Sequence, residues 1–197
     1  MATSALSENG LRQCLRIAFG GSIGFLVTAL FDLSYGVFFT VLPMLLLGLV
    51  PMINRQVARQ ILAASVMCGL EVGILAQILG GHSVLMTMAA FVLFLYRFAF
   101  MARGTAFLFG ANGVLMLSIM LHYASYPGTD VNNLIASNFF ASILAIAIAF
   151  VMHAMIPNKE QNASPPALPD KSPNRVRHEA ILGATVTTLS FLVFQLF

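Results

Sequence analysis

Seven apolar runs, each on the scale of the residues needed to cross about 30 Å of hydrocarbon, alternate with short polar breaks along this 197-residue chain. They fall near 13–31, 36–53, 57–79, 83–102, 104–121, 134–156 and 180–197, and the first five breaks read "DLSYG", "NRQ", "GGH", "ARG" and "HYASYPGTDVNN". After the sixth run the texture changes. The stretch "PNKEQNASPPALPDKSPNRVRHE" holds five of the chain's eight prolines and most of its late charges, too polar and too proline-rich for a helix in lipid. The pattern predicts an all-α, polytopic transmembrane helix bundle: a six-helix unit over 1–156, an extended linker over 157–179, and a seventh helix over 180–197 that opens a second unit.

Composition makes lipid the solvent. Hydrophobic residues are 59% of the chain and charged residues 9%, with a mean hydropathy of +0.89. A soluble domain carries about 25% charged residues, so too little polar surface remains to wrap a water-soluble core. Cys14 and Cys68 lie in or beside apolar runs and read as small apolar residues. The opening "MATSALSENG" lacks the basic n-region and cleavage site of a signal peptide.

Charge adds orientation. The ten basic residues are Arg12, Arg16, Arg55, Arg59, Arg97, Arg103, Lys159, Lys171, Arg175 and Arg177. With seven spans and the N-terminus inside, all of them fall at or near cytoplasmic ends, and the opposite loops carry none. This is the positive-inside pattern. It predicts a multi-pass membrane protein with a cytoplasmic N-terminus and a cytoplasmic 157–179 segment. The net charge of +3 is then a topology signal and gives no reason to expect nucleic acid. Arg97, near the inner end of its helix, is expected to snorkel to the headgroups, with anion binding as the alternative.

The seventh run echoes the first at an offset of 163 residues: Arg12 matches Arg175, Gly20 matches Gly183, Leu26 matches Leu189 and Phe31 matches Phe194. Duplicated halves are common in transporters. The first run "LRIAFGGSIGFLVTALF", the proline-bearing "FFTVLPMLLLGLVPMI" and the basic turn "NRQVARQ" together resemble the fusaric-acid-resistance and aromatic acid exporter superfamily, with its related inner-membrane proteins. The resemblance implies six helices per half, a cytoplasmic connection and a full second half beyond Phe197. It also implies a place in a cell inner membrane, export of small amphipathic or aromatic acids, and a periplasmic adaptor protein as partner.

Small residues mark where helices touch in lipid. Gly20 and Gly24 form a G-x-x-x-G step, as do Gly69 and Gly73, while Ser137, Ala141, Ala145 and Ala149 recur every four residues. Between the second pair of glycines stands Glu71, the one charge from Gln60 to Tyr96. A charge at mid-membrane costs about 2.5–3.5 kcal/mol or more. The same distance from the outer helix ends places Gly24, Pro43, Gly113 and Ser142 at its depth, with Asn112 and Thr40 close by. Pro43 has no N–H to give the Phe39 carbonyl.

Such a layer suits a transport site. Glu71 is the candidate proton-coupling group, because desolvation disfavours its charged form; Asn112, Thr40, Pro43 and Ser142 are candidates to line a cavity. The alternative is a neutral Glu71 that holds helices together by bonding Asn112 or a carbonyl. His82, His122, His153 and His178 sit at helix ends without a second ligand at metal spacing. Neither a hydrolase nor a nucleotide motif is present, so no enzyme, metal or cofactor is expected. The sequence leads to a proton-coupled exporter, or half of one. The alternative is a non-transporting membrane subunit that packs against a partner, or another copy of itself, through its small-residue stripes.

Overall fold

A computed structural model describes residues 8–79, 81–104, 106–158 and 171–196. Seven α-helices and no strand occur among them: α1 (Glu8–Phe31), α2 (Gly36–Leu49), α3 (Arg55–Leu79), α4 (Ser83–Arg103), α5 (Phe107–Ala124), α6 (Val131–Met155) and α7 (Pro173–Leu196). Each falls on one of the seven apolar runs. Among the described residues α1, α3, α4, α5 and α6 are long and apolar enough to cross a membrane.

Three boundaries differ from the apolar pattern, each for a local reason. The second run is apolar to residue 53, yet α2 ends at Leu49 after 14 residues. Val50 is extended, at φ −115° and ψ 114°, the conformation that a following proline imposes, and Pro51 follows. The ring of Pro51 therefore ends the helix although the hydrophobicity continues. α7 begins at Pro173, ahead of residue 180. Proline suits the first helical position, the Ser172 carbonyl accepts the N–H of Val176, and Glu179 is paired with Lys171 and Arg175. The predicted linker is thus helical over its last residues; its middle, 159–170, lies outside the described residues. α5 starts later than residue 104 because Gly104 is left-handed (φ 77°) and closes α4.

The chain forms two compact units. Unit 1 contains α1, α2 and α6 from Phe140 onward; unit 2 contains α3 from Arg59, α4, α5, α6 up to Phe139, and α7.

In unit 1, α1 packs along α2 through glycines. A β-carbon at Gly20 would overlap the Leu47 side chain, and one at Gly24 would overlap the Phe39 carbonyl oxygen. That carbonyl is the one that Pro43 leaves without a helical donor, so Gly24 lets α1 close over it. Backbone groups in lipid must be satisfied within the protein, and the short end of α2 meets this with side chains. Gln13 donates from Nε2 to the carbonyls of Gly48 (2.8 Å) and Leu47 (3.4 Å). The Pro51 carbonyl meets His153 Nε2 at 3.1 Å and accepts from Asn158 Nδ2 at 3.4 Å. Arg12 donates to the Pro157 carbonyl and Arg16 to Asn158 Oδ1 (2.9 Å), which ties the chain after α6 to α1.

In unit 2, α4 is the shared element, packed against both α5 and α7. Gly183 of α7 receives the Phe98 ring, which would lie 2.6 Å from an added β-carbon. α3 and α6 are joined by a buried polar pair. Asn138 Nδ2 donates to Ser65 Oγ (2.9 Å) and to the Ser65 carbonyl (3.2 Å), and Ser65 Oγ donates to the Asn138 carbonyl (3.3 Å). Gln60 on α3 accepts from the Phe109 N–H at 3.2 Å, supplying an acceptor to the first turn of α5, where helices leave donors open.

Candidate functional site

The buried residues of α4 are Met86, Ala90, Phe94, Arg97 and Ala102. Their spacing of three to five places Arg97 on the core-facing stripe of its helix. The side chain is fully buried, and its Nη2 lies 2.7 Å from Glu71 Oε2 on α3. This overturns the expectation that Arg97 snorkels to the headgroups. The reason is the slope of helical side chains, which lean towards the N-terminus of their own helix. Arg97 stands six residues before the end of α4 at Arg103 and therefore points away from that end, into the unit.

Glu71 answers from the antiparallel direction. It stands eight residues before the end of α3 at Leu79, about 12 Å at 1.5 Å per residue. Arg97 is fourteen residues past the start of α4 at Ser83, about 21 Å by the same rise. The roughly 9 Å between these levels is spanned because each side chain leans towards the other. A buried charge is costly unless paired, and the pair removes the problem that an isolated Glu71 poses. The carboxylate does not bond Asn112, whose two amide atoms are buried without a hydrogen-bond partner.

The guanidinium is enclosed on its other sides. Its central carbon lies 4.4 Å from the centroid of the Phe109 ring and 5.7 Å from that of Tyr96, a cation–π enclosure worth most when desolvated. Cys68 Sγ is 3.8 Å from Nη2 and 3.5 Å from the Gly113 carbonyl. A β-carbon on Gly113 would stand 2.9 Å from Arg97 Cδ and 3.0 Å from Nε, so the glycine makes the space the guanidinium occupies. Its Nε and Nη1 are buried with no hydrogen-bond partner. One carboxylate thus serves a group with five N–H donors.

Glu71 is part-buried, with 12% of its side chain exposed, and it borders a cavity of about 370 Å³ between α3 and α4 in which only apolar atoms are exposed. Ile74 and Leu75 of α3 and Ala89, Val92 and Leu93 of α4 form the rest of its wall. Asn112 is not among these residues. Thr40, Pro43 and Ser142 belong to unit 1; there Thr40 Oγ1 bonds the Gly36 carbonyl at 3.3 Å, and Pro43 and Ser142 are buried. Gly69 and Gly73 lie against Ile135 of α6 and border a second cavity of about 370 Å³, with Ser65, Gln77, Asn132 and Phe139. Ser137, Ala141, Ala145 and Ala149 are all buried within the chain. No cluster of three His, Cys, Asp or Glu residues that could hold a metal occurs among the described residues.

Over residues 13–152 the sequence matches the family described as "Protein of unknown function (DUF2955)". The chain belongs to the DUF2955 family. The match covers α2 to α5 in full and most of α1 and α6, and so takes in Glu71, Arg97, Phe109 and Gly113; it ends before α7. No curated protein and no solved structure matches the chain.

Proposed function

We propose that this multi-pass membrane protein is a proton-coupled exporter, or one half of an exporter, of small amphipathic acids. The observation that carries the reading is the Glu71–Arg97 pair, a carboxylate and a guanidinium held 2.7 Å apart in the middle of apolar helices. Packing alone gives little reason to keep such a pair, because well-packed apolar residues often replace a buried ion pair at no loss of stability. In transporters, intramembrane ionisable groups are proton relays and substrate contacts. A proton on Glu71 removes the charge that balances Arg97, so the two protonation states of Glu71 present different electrostatic demands to the helices around them. Such a difference is what biases a two-state bundle.

The aromatic character of the substrate, the inner-membrane location and the periplasmic adaptor rest on the resemblance to the aromatic acid exporters. The competing reading, a subunit that docks a partner through its small-residue stripes, has less support, because Gly20, Gly24 and the four α6 residues are already buried in the chain itself. The test is movement of radiolabelled benzoate in proteoliposomes under an imposed pH gradient, with the wild-type chain and Glu71→Gln. The expected result is that the gradient drives benzoate only in the wild type. Gradient-driven movement of equal size in Glu71→Gln removes the coupling role.

A further inference from the structure

The cavity between α3 and α6 differs from the one at Glu71 in exposing polar as well as apolar atoms. Its residues are sorted along the helices. Gln77 stands two residues before the end of α3, and Asn132 is the second residue of α6, so both amides lie at one end of the groove. Neither amide has a hydrogen-bond partner among the described residues. From there the wall runs over Gly73, Gly69 and Ile135 to Ser65, whose hydroxyl is already bonded to Asn138. Val66, Leu70, Ile74 and Phe139 complete it and are exposed on the outside of the chain. The groove therefore opens sideways, towards lipid.

Shape narrows the choice of occupant. Ser65 and Gln77 stand twelve residues apart on α3, about 18 Å along the helix, close to the roughly 15 Å of one leaflet in a 30 Å hydrocarbon layer. A volume of about 370 Å³ over that length makes a channel about 5 Å across, half the diameter of a helix. A partner helix does not fit it, and one alkyl chain does. Nor do the glycines offer a helix a seat, because Ile135 already lies 2.9 Å from where a β-carbon of Gly69 would stand and 3.3 Å from that of Gly73.

Charge then selects the head. Pockets for anionic lipids are built from Lys and Arg, and neither occurs in the last turn of α3 or the first turn of α6. The charge beside the amides is Asp130, exposed two residues before Asn132, with Oδ1 accepting the Asn133 N–H at 3.1 Å. A net-negative head meets like charge there. A zwitterionic head sets its phosphate at the amides and its ammonium at the carboxylate.

We propose that the α3–α6 groove binds one zwitterionic aminophospholipid of the phosphatidylethanolamine type. One acyl chain fills the groove over Gly69, Gly73 and Ile135, and restores the dispersion contacts that an unfilled groove forfeits. The phosphate accepts hydrogen bonds from the Gln77 and Asn132 amides, and the ammonium pairs with Asp130. Glu71 and Arg97 are not among the residues of this site, which stands whether or not they couple transport.

The experiment is native mass spectrometry of the full chain, released from detergent micelles that hold equimolar palmitoyl-oleoyl phosphatidylethanolamine and the phosphatidylglycerol with the same chains. The wild type should carry one phospholipid, with the ethanolamine lipid favoured about fivefold, the scale of an exposed ion pair. Asp130→Asn keeps a capping side chain and should bring the two lipids to parity. Gln77→Leu with Asn132→Leu should weaken the ethanolamine adduct about tenfold or more, the scale of two hydrogen bonds. Val66→Phe, which puts a ring into the groove, should abolish it; Leu70→Phe serves if that chain does not fold. Equal adducts of the two lipids in the wild type overturn the proposal, as does an adduct that survives the filled groove. A dimer that Val66→Phe separates puts a second copy of the chain in the groove and overturns it too.

Discussion

Unit 1 and unit 2 both use a glycine to bring a polar group into an apolar contact, and they differ in the group admitted. In unit 1, Gly24 closes over the Phe39 carbonyl, a backbone dipole that Pro43 has left without its donor. In unit 2, Gly113 makes room for the Arg97 guanidinium, a full charge. The first contact is between two backbones, and neither can move without moving a helix. The second is between a backbone and the far part of a long side chain. A backbone contact fixes two helices in one arrangement, whereas a side-chain contact leaves room for a second one. Unit 2 has a contact of the first kind as well, since a β-carbon on Gly110 would stand 2.6 Å from the Arg97 carbonyl oxygen; what sets it apart is the movable contact at Gly113.

Removing the charge from one side tests that difference most severely. Arg97→Leu leaves Glu71 as an uncompensated carboxylate, and breaking a buried pair in this way costs about 3–5 kcal/mol. Unfolding in mixed detergent micelles should show the loss, and adding Glu71→Gln to the same chain should restore most of it. If the single variant is as stable as the wild type, the pair does not exist in the folded protein.

Next comes the backbone contact. Gly24→Ala forces a methyl into the Phe39 carbonyl, and because that obstacle cannot rotate away the cost should reach the upper part of the roughly 1–3 kcal/mol range for overpacking. Gly113→Ala should cost less, about 1 kcal/mol, because Arg97 Cδ and Nε can shift. Its signature should be functional, since the shift moves the guanidinium relative to Glu71. Equal destabilisation of the two alanine variants, measured in the same micelles, would erase the distinction between the two contacts.

The smallest effect lies outside the apolar part of α7. Hydrogen bonds from Lys171 and then Arg175, 2.5 and 3.0 Å away, hold the Glu179 carboxyl below its ordinary value. A carboxyl lowered on folding contributes stability that is present above its unfolded value and lost as pH falls through the folded one. The protection of amides in the first turn of α7, relative to their intrinsic exchange rate at each pH, should fall on acidification through that window in the wild type. In Lys171→Ala the window should move towards the ordinary carboxylate range.

The apolar runs made all seven helices legible, because hydrophobic length is a strong local signal in lipid. Their ends were less so: α2 stops for a steric reason at Pro51, and α7 starts on Ser172 and Pro173 while the chain is still polar. Glu71 stood out as an isolated charge. Its partner did not, because nearness to the end of α4 suggests the headgroups for Arg97, whereas the lean of helical side chains towards their own N-terminus carries it the other way. The spacing of Arg97 from Ala90 and Phe94 carried the missing information, since it puts all three on one face. Ser65 and Asn138 were missed for a different reason. Each is a single polar residue in an apolar helix, and only the packing of α3 on α6 shows that they answer each other across 73 positions.

The brevity of α2 has a consequence for the lipid itself. Fourteen helical residues span about 21 Å, well under the roughly 30 Å of an average hydrocarbon layer. Yet Gln13 takes the carbonyls of its last turn, and His153 and Asn158 meet the Pro51 carbonyl just beyond it. The shortfall of about 9 Å is made up inside unit 1, where Phe38, Leu42, Leu46 and Leu47 of α2 are buried and side chains take over the work of the missing turns. The protein itself, and not the lipid, completes the length of this helix.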